Sequence, residues 1–363
     1  MITPHLPPYQ AANALLPHLL GEALESRGHR VRFLSFGSGP DTAAIRYVRK
    51  RSALRVTRVP QLLEAVQTWL QCRDLFRNCD VVHIHSNTWV NQVAARIARR
   101  AGRPYVLTHY GTEIWHHDGR DTSFKRLNRD AAHVAFYSRA LLERGRELGV
   151  PLAEASVIYP PVAEVFRPAH EAERRALREE VGATAGLLLL NVKRLHPLAD
   201  HATLISAVPR VLAKHPGSVL LIAGTGEEER ALRAQAEQLC VAEAVRFLGL
   251  VPNAQVARLQ AAADLFVLSS VLEATPTVAL EALACGTPVL STDNPGGKEL
   301  HDLFGHDVTV VPQRDPDALA GAILAFAEAP RRTAPDTAHT VEGRFRLPGV
   351  VDRYLELYRQ AAA

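Results

Sequence analysis

Short apolar, β-branched runs alternate with longer stretches of helical period along the whole chain. That pattern belongs to parallel sheets built from βα units rather than to a sandwich or a bundle. In the first half, residues 31–35, 81–85, 105–108 and 134–137 predict strands, and 13–27, 61–76 and 90–100 predict helices between them. The pattern restarts with strands at 187–192, 219–223, 245–248, 265–268, 289–291 and 308–311, and ends on an amphipathic helix over 350–360. Two doubly wound α/β domains in tandem fit this order. The boundary is expected at Tyr159-Pro-Pro-Val-Ala-Glu-Val-Phe-Arg-Pro168, where three prolines can continue neither a helix nor a central strand. The expected division is therefore 1–165, then 166–345, with a last helix at 346–363 packing back on the first domain. Only Met1-Ile-Thr3 precedes Pro4. That is short for a first strand, so either the sheet opens on a stub or the natural start lies upstream; the upstream start is favoured.

Composition adds little to the fold but bounds the function. With 47% hydrophobic and 22% charged residues, the 363-residue chain has a soluble globular balance. No window approaches a membrane span and no signal core opens the chain, so a cytoplasmic protein is expected. The cysteines (Cys72, Cys79, Cys240, Cys285) have no zinc-like spacing and read as reduced, mostly packed thiols. Charge is uneven: residues 1–165 hold 22 Lys and Arg against 14 Asp and Glu, the remainder 20 against 24. The basic half is the candidate for meeting an anionic surface or acceptor; no nucleic-acid partner is expected. Its densest run, from Arg46 to Arg58, mixes cations with apolar residues as interfacial segments do, although a solvated helix face or loop is the simpler reading and is favoured.

In doubly wound sheets, ligands bind where strand carboxyl ends feed helix N-termini. The stretch Leu272-Glu-Ala-Thr-Pro-Thr-Val-Ala-Leu-Glu-Ala-Leu-Ala-Cys-Gly286 follows such a strand. Thr275-Pro276 reads as an N-cap followed by proline at the first helical position, and Gly286 as the stop. Glu273 then sits just ahead of the helix and Glu281 more than a turn inside it. A pair serving glycoside hydrolysis has to flank one bond; this spacing instead suits two contacts to one long ligand. An unpartnered charge at Glu281, among Ala279, Leu280, Ala282 and Leu283, would be costly. It therefore points to the surface, pairs with an arginine, or serves a ligand.

The run from Ala262 to Val289 resembles the Glu-x7-Glu signature of retaining nucleotide-sugar glycosyltransferases of family 4. Other segments match in order: Thr108-His-Tyr-Gly-Thr-Glu113, Val157-Ile-Tyr-Pro-Pro-Val162, Val192-Lys-Arg-Leu195, Ala223-Gly-Thr-Gly226 and Asn294-Pro-Gly-Gly-Lys-Glu299. The resemblance implies the GT-B fold, two Rossmann-like doubly wound domains facing each other across a cleft, with the acceptor in the first and the nucleotide sugar in the second. It implies transfer of a hexose from a nucleotide-diphosphate sugar to a hydroxyl acceptor, with retention and with closure about Pro160-Pro161 excluding water. It further implies Arg194 on the diphosphate, Glu281 on the ribose hydroxyls, and Glu273 on the transferred sugar with the N–H groups of Ala274 and Thr275. His109 would lie over that sugar, with the loop at Gly296 and Gly297 approaching the ligand closely and Glu113 on the acceptor side. His83 and His85 are open between lining the acceptor cleft and simple packing. Gly224 and Gly226 lack the full fingerprint of a dinucleotide site or P-loop and read as a turn near the nucleotide. Neither a metal nor a cofactor is expected.

Two features depart from the family pattern. A lysine usually follows the arginine by about five residues, but position 199 is alanine. His196, His201, Lys193 or Lys298 is expected to supply the missing charge, whose loss would cost on the order of 2–4 kcal/mol of transition-state stabilisation. The segment Pro7-Pro-Tyr-Gln-Ala-Ala12 also lacks the usual glycine pair. Rival readings are a nucleotide-sugar epimerase or phosphorylase of the same fold, and a nucleotide-sugar-binding scaffold without catalysis; a dehydrogenase is disfavoured by the incomplete glycine fingerprint.

Overall fold

The computed structural model describes residues 1–7, 12–36, 39, 41–49, 59–151 and 154–363. Most of the 46–58 run and most of the 7–12 segment thus lie outside the described residues. The chain divides into two compact units, one formed by Met1–Pro160 with Leu347–Ala363 and the other by Pro161–Arg346.

The N-terminal unit holds a seven-stranded parallel sheet: β1 (Ile2–Thr3), β2 (Phe33–Phe36), β3 (Ile45–Val48), β4 (Val82–His85), β5 (Tyr105–His109), β6 (His133–Phe136) and β7 (Ala155–Val157), in the order β3-β2-β1-β4-β5-β6-β7. The short opening segment is itself a strand: Ile2 pairs with both Leu34 and Ile84 in the middle of the sheet. Two strands carry no sequence signal, β3 and β7, and both are edges. An edge strand is covered on fewer sides, so Ile45-Arg-Tyr-Val48 and Ala155-Ser-Val157 need no continuous apolar run. Arg46 therefore starts the basic run in a β-strand rather than on a helix face. The helix Leu347–Ala362 belongs to this unit, burying Val350, Val351, Tyr354 and Leu357 in a core with Leu20, Leu24, Phe33 and Val106.

The C-terminal unit carries a six-stranded parallel sheet: β8 (Leu188–Val192), β9 (Val219–Ala223), β10 (Val245–Gly249), β11 (Leu265–Leu268), β12 (Val289–Thr292) and β13 (Val308–Val311), in the order β10-β9-β8-β11-β12-β13. The strand order reverses beside β8, between β8 and β11, the topological switch point at which such sheets bind ligands. Central strands β8, β9, β11 and β12 are buried almost throughout, which is why they read as unbroken apolar runs. All four cysteines are free thiols; Cys72 and Cys285 are buried, whereas Cys240 is exposed.

Candidate active site

In the C-terminal unit the loop after β8 and the loop after β9 are clamped together. Lys193 N–H donates to Ala223 O, and Leu195 N–H to Thr225 O at 3.0 Å. Gly224 and Gly226 make the clamp possible. A Cβ on Gly224 would lie 2.0 Å from Lys193 O, and one on Gly226 would lie 2.1 Å from Leu195 O. The backbone that these glycines approach is the protein's own, and through it they fix where Lys193 and Arg194 start. Gly226→Ala is therefore expected to destabilise the unit by roughly 3 kcal/mol and to weaken nucleotide binding with it. Differential scanning fluorimetry and calorimetric titration of a nucleoside diphosphate would read the two effects; an alanine variant as stable as the parent would contradict the clamp.

The Glu-x7-Glu segment folds slightly differently from its expected capping. Pro276 itself occupies the N-cap position with φ −74° and ψ 94°, and the helix begins one residue later, Thr277–Ala284, with no side-chain cap. The N-cap and first-position proline pattern is instead met at Asn294-Pro295. Asn294 is fully buried, its Oδ1 accepts from Gly297 N–H at 2.8 Å, and its Nδ2 donates to Ser270 O at 3.0 Å. Gly296 and Gly297 consequently lie in the first turn of the Pro295–Phe304 helix, not in a loop. A Cβ on Gly297 would meet Ser291 Oγ at 2.3 Å; one on Gly296 would meet Pro276 Cδ at 2.8 Å and Ala274 O at 2.9 Å. Gly296 N–H also donates to Glu273 O. The two glycines thus draw the Glu273–Pro276 loop onto a helix N-terminus, a site with the polarity for an anion.

The two carboxylates sit in different environments. Glu273 is paired: Lys193 Nζ stands 2.5 Å from its Oε1, with the acid side chain only 11% exposed, in a geometry that is not that of a directed hydrogen bond. Among the described residues no hydrogen bond or ion pair reaches the Glu281 carboxylate. Burial pushes its carboxyl up to about 8, because nothing offsets the cost of a desolvated charge. Of the alternatives open for Glu281, pairing with an arginine is therefore not what the structure shows.

Ala199 lies in a short 3-10 turn, Pro197–Ala199, and is buried. Of the four cations expected to replace the missing lysine, His201 is removed. It is fully buried, its Nε2 pairs with Asn191 Oδ1 at 3.0 Å, and burial lowers its pKa to about 4, so the ring is neutral. Arg194 and His196 both face Glu227, at 3.5 and 3.6 Å, and Lys298 is exposed with Asp293 at 3.9 Å. Lys193 was expected only as a substitute phosphate ligand, and its pairing with Glu273 had no signal in the sequence, since the two residues are 80 positions apart.

In the N-terminal unit, the candidates at the ends of β4 and β5 are enclosed. His109 is fully buried, with Nε2 on Asn128 Oδ1 at 2.8 Å and its ring against Phe124 and Phe136. It does not stand on an open face, as a group over a sugar would; its Nδ1 has no hydrogen-bond partner and lies 3.8 Å from Glu113 Oε1. Glu113 turns back into its own loop and accepts from the N–H groups of Tyr110, at 2.7 Å, and Gly111, at 3.2 Å. Burial raises its carboxyl, but the neighbouring His109 and these backbone bonds outweigh that and hold it below the ordinary value. His85 is packed rather than lining a cleft, because β4 is covered on both faces. It is 1% exposed, pairs with Tyr110 OH at 2.6 Å, and is held neutral by burial. His83 likewise bonds Tyr358 OH and Thr108 Oγ1, fastening the C-terminal helix to β4 and β5.

Two parallel doubly wound sheets, the second with Lys193, Arg194 and Glu273 on loops and Lys298 at a helix start beyond its strand carboxyl ends, define a glycosyltransferase of the GT-B type. The chain belongs to glycosyltransferase family 4: residues 18–164 match the family described under that name and residues 173–338 match "Glycosyl transferases group 1". It is 30% identical to the GDP-mannose-dependent alpha-(1-6)-phosphatidylinositol monomannoside mannosyltransferase of Mycolicibacterium smegmatis, over 78% of each chain. It is 28% identical to the 2-deoxystreptamine N-acetyl-D-glucosaminyltransferase of Streptomyces fradiae, over 94% of this chain and 89% of that one. In fold it is similar to Anabaena HepE in complex with UDP, with a TM-score of 0.76 at 21% identity over 98% of both chains.

Proposed function

We propose that the protein is a retaining hexosyltransferase that moves a hexose from a nucleotide-diphosphate sugar to a hydroxyl acceptor without a metal ion. The observation that carries the reading is the half-buried Glu281 carboxylate, without a partner among the described residues, on the same short segment as Glu273, which Lys193 pairs. Glu281 receives the ribose hydroxyls, and Glu273, held in place by Lys193, receives hydroxyls of the sugar. Arg194, Lys298 and His196 face the diphosphate, where negative charge grows as the glycosidic bond breaks. The bond from the anomeric carbon to the β-phosphate oxygen breaks as the acceptor oxygen bonds to that carbon from the same face, and the departing phosphate takes the acceptor's proton.

In this reading the cations named here carry the charge stabilisation. If they do, the double variant His196→Ala/Lys298→Ala is expected to lose roughly 30- to 1,000-fold in turnover, the equivalent of 2–4 kcal/mol; unchanged turnover would remove the substitute-cation idea. The relatives act with GDP-mannose or transfer N-acetylglucosamine, and HepE binds UDP, which supports a hexose donor of either base. Thermal-shift screening of GDP-mannose, UDP-glucose and UDP-N-acetylglucosamine selects the donor. Proton NMR of the transferred sugar then decides the stereochemistry, and an inverted anomeric centre would refute retention. Ala199 favours one second reading, a scaffold that binds nucleotide sugars without turning them over; it predicts a large thermal shift with no product across an acceptor panel. Among the described residues no helix is long and apolar enough to cross a membrane, and the location this reading proposes is cytoplasmic, peripheral at the inner face of the membrane.

A further inference from the structure

The Val59–Arg77 helix is amphipathic the wrong way round. Its buried side is Thr68, Cys72 and Phe76, whereas Leu63, Val66, Trp69 and Leu70 are 41–53% exposed, accounting for four of the ten exposed large hydrophobic residues among those described. At about 100° per residue these four and the exposed Arg73 share one arc of about 120°, centred about 120° around the helix from the buried side. The described positions of that arc carry no carboxylate, and Arg73 lies over the Trp69 ring at 5.8 Å.

This helix packs on the Trp89–Arg100 helix, which in turn packs on the Thr122–Arg129 helix. All three connect strands that step in the same direction across the sheet, so right-handed crossovers put them on one face of it. Between the second and third helices lies a groove of about 550 Å³ edged by Arg96, Arg99, Arg100, Arg126 and Arg129. Asp130 pairs with Arg99 and Arg129; Arg96, Arg100 and Arg126 have no carboxylate partner among the described residues. One helical layer thus presents an apolar ridge with a tryptophan beside a cluster of unneutralised arginines.

We infer that this layer docks on an anionic phospholipid surface, with the Leu63–Leu70 ridge entering the headgroup boundary and the arginines meeting lipid phosphates. Apolar area and cationic charge act together in such contacts, and tryptophan suits the boundary itself. The alternative of a second copy on this face would set arginine against arginine. The sequence adds to the argument, since the basic run from Arg46 to Arg58 leads directly into this helix. The inference does not depend on which sugar is transferred, or on catalysis at all.

Co-sedimentation of the full chain with vesicles of phosphatidylcholine alone, or mixed with phosphatidylglycerol, tests it. The protein is expected to pellet with the mixed vesicles and not with phosphatidylcholine, and to be released by high salt. Leu63→Gln/Leu70→Gln and Arg96→Ala/Arg100→Ala/Arg126→Ala are each expected to weaken binding about tenfold or more. Because the substituted side chains are exposed, melting temperature and nucleotide binding are expected to stay at their parental values. A blue shift of tryptophan emission on the mixed vesicles, absent from Trp69→Phe, would locate the ridge in the boundary. Absence of pelleting, or pelleting indifferent to both variants, would overturn the inference. So would a dimer in sedimentation velocity that Leu63→Gln/Leu70→Gln dissociates.

Discussion

Glu273→Ala is expected to lower turnover about 100- to 1,000-fold while changing affinity for the bare nucleoside diphosphate by less than about threefold. The asymmetry follows from position. Glu273 lies on the loop that leaves β11, its carbonyl is tied to Gly296 at the start of the Pro295–Phe304 helix, and its carboxylate faces Lys193. A carboxylate fixed by both its backbone and a cation is pre-oriented for the sugar, and pre-orientation is what a reacting group contributes to rate. Its removal is expected to leave the proposed nucleotide contacts intact. It also leaves the Lys193 ammonium without its partner in a partly covered site, so the isosteric Glu273→Gln separates lost chemistry from lost packing. Calorimetry with nucleoside diphosphate alone, beside steady-state kinetics, reads the two quantities; parallel losses in both would show that Glu273 holds the nucleotide as well.

Glu281 is expected to give the opposite result: Glu281→Ala weakens nucleotide binding roughly 10- to 100-fold, the worth of hydrogen bonds to a charged acceptor, with a smaller effect on turnover at saturation. Its titration gives a second readout. The folded-state value of about 8 lies above the ordinary carboxyl value of 4.5, so between those pH values the folded chain holds a proton that the unfolded chain has lost. The stability associated with the neutral carboxyl is complete below about pH 4.5 and is lost as pH rises through 8, a swing of a few kcal/mol at most for a group in partial contact with water. Glu281→Gln is expected to flatten that slope, matching the parent near pH 4.5 and exceeding it above pH 8. Ribose hydroxyls favour the ionised acceptor, so nucleotide binding at pH 7 is expected to release close to one proton from the parent and none from Glu281→Gln. Titration in buffers of different ionisation enthalpy measures the proton count, and equal counts for both proteins would take the ribose contact away from Glu281.

Much of the fold was legible because the central strands lie between helix layers. Leu188–Val192, Val219–Ala223 and Leu265–Leu268 are buried on both faces, and only uninterrupted apolar sequence satisfies such a position. Edge strands escape this constraint, which is why β3 and β7 passed unnoticed. Capping chemistry was legible as a rule but not as an address. Thr275-Pro276 and Asn294-Pro295 present the same local signal, and only the second has a buried amide that both accepts from the helix and donates to Ser270 across the sheet. The histidines were the least legible. His85, His109 and His201 follow or end strands where ligands commonly bind, yet each is enclosed by residues from other elements: Tyr110 beside His85, Asn128 beside His109, and Asn191 beside His201.

The sequence by itself determined the two parallel sheets, the place of the Glu-x7-Glu segment after a strand of the second sheet, the basic character of the first half and the family, since each is a property of residue order that survives without coordinates. The tertiary structure decided which charged groups are free to meet a ligand. Lys193 and Glu273, 80 residues apart, neutralise one another; Glu281 has no partner among the described residues; His201 is stripped of its charge; and the glycines after β9 and at the start of the Pro295–Phe304 helix serve the protein's own packing. It also turned the apolar side of the Val59–Arg77 helix outward. Pairing, desolvation and exposure depend on what folding brings within a few ångströms, and local sequence does not carry those distances.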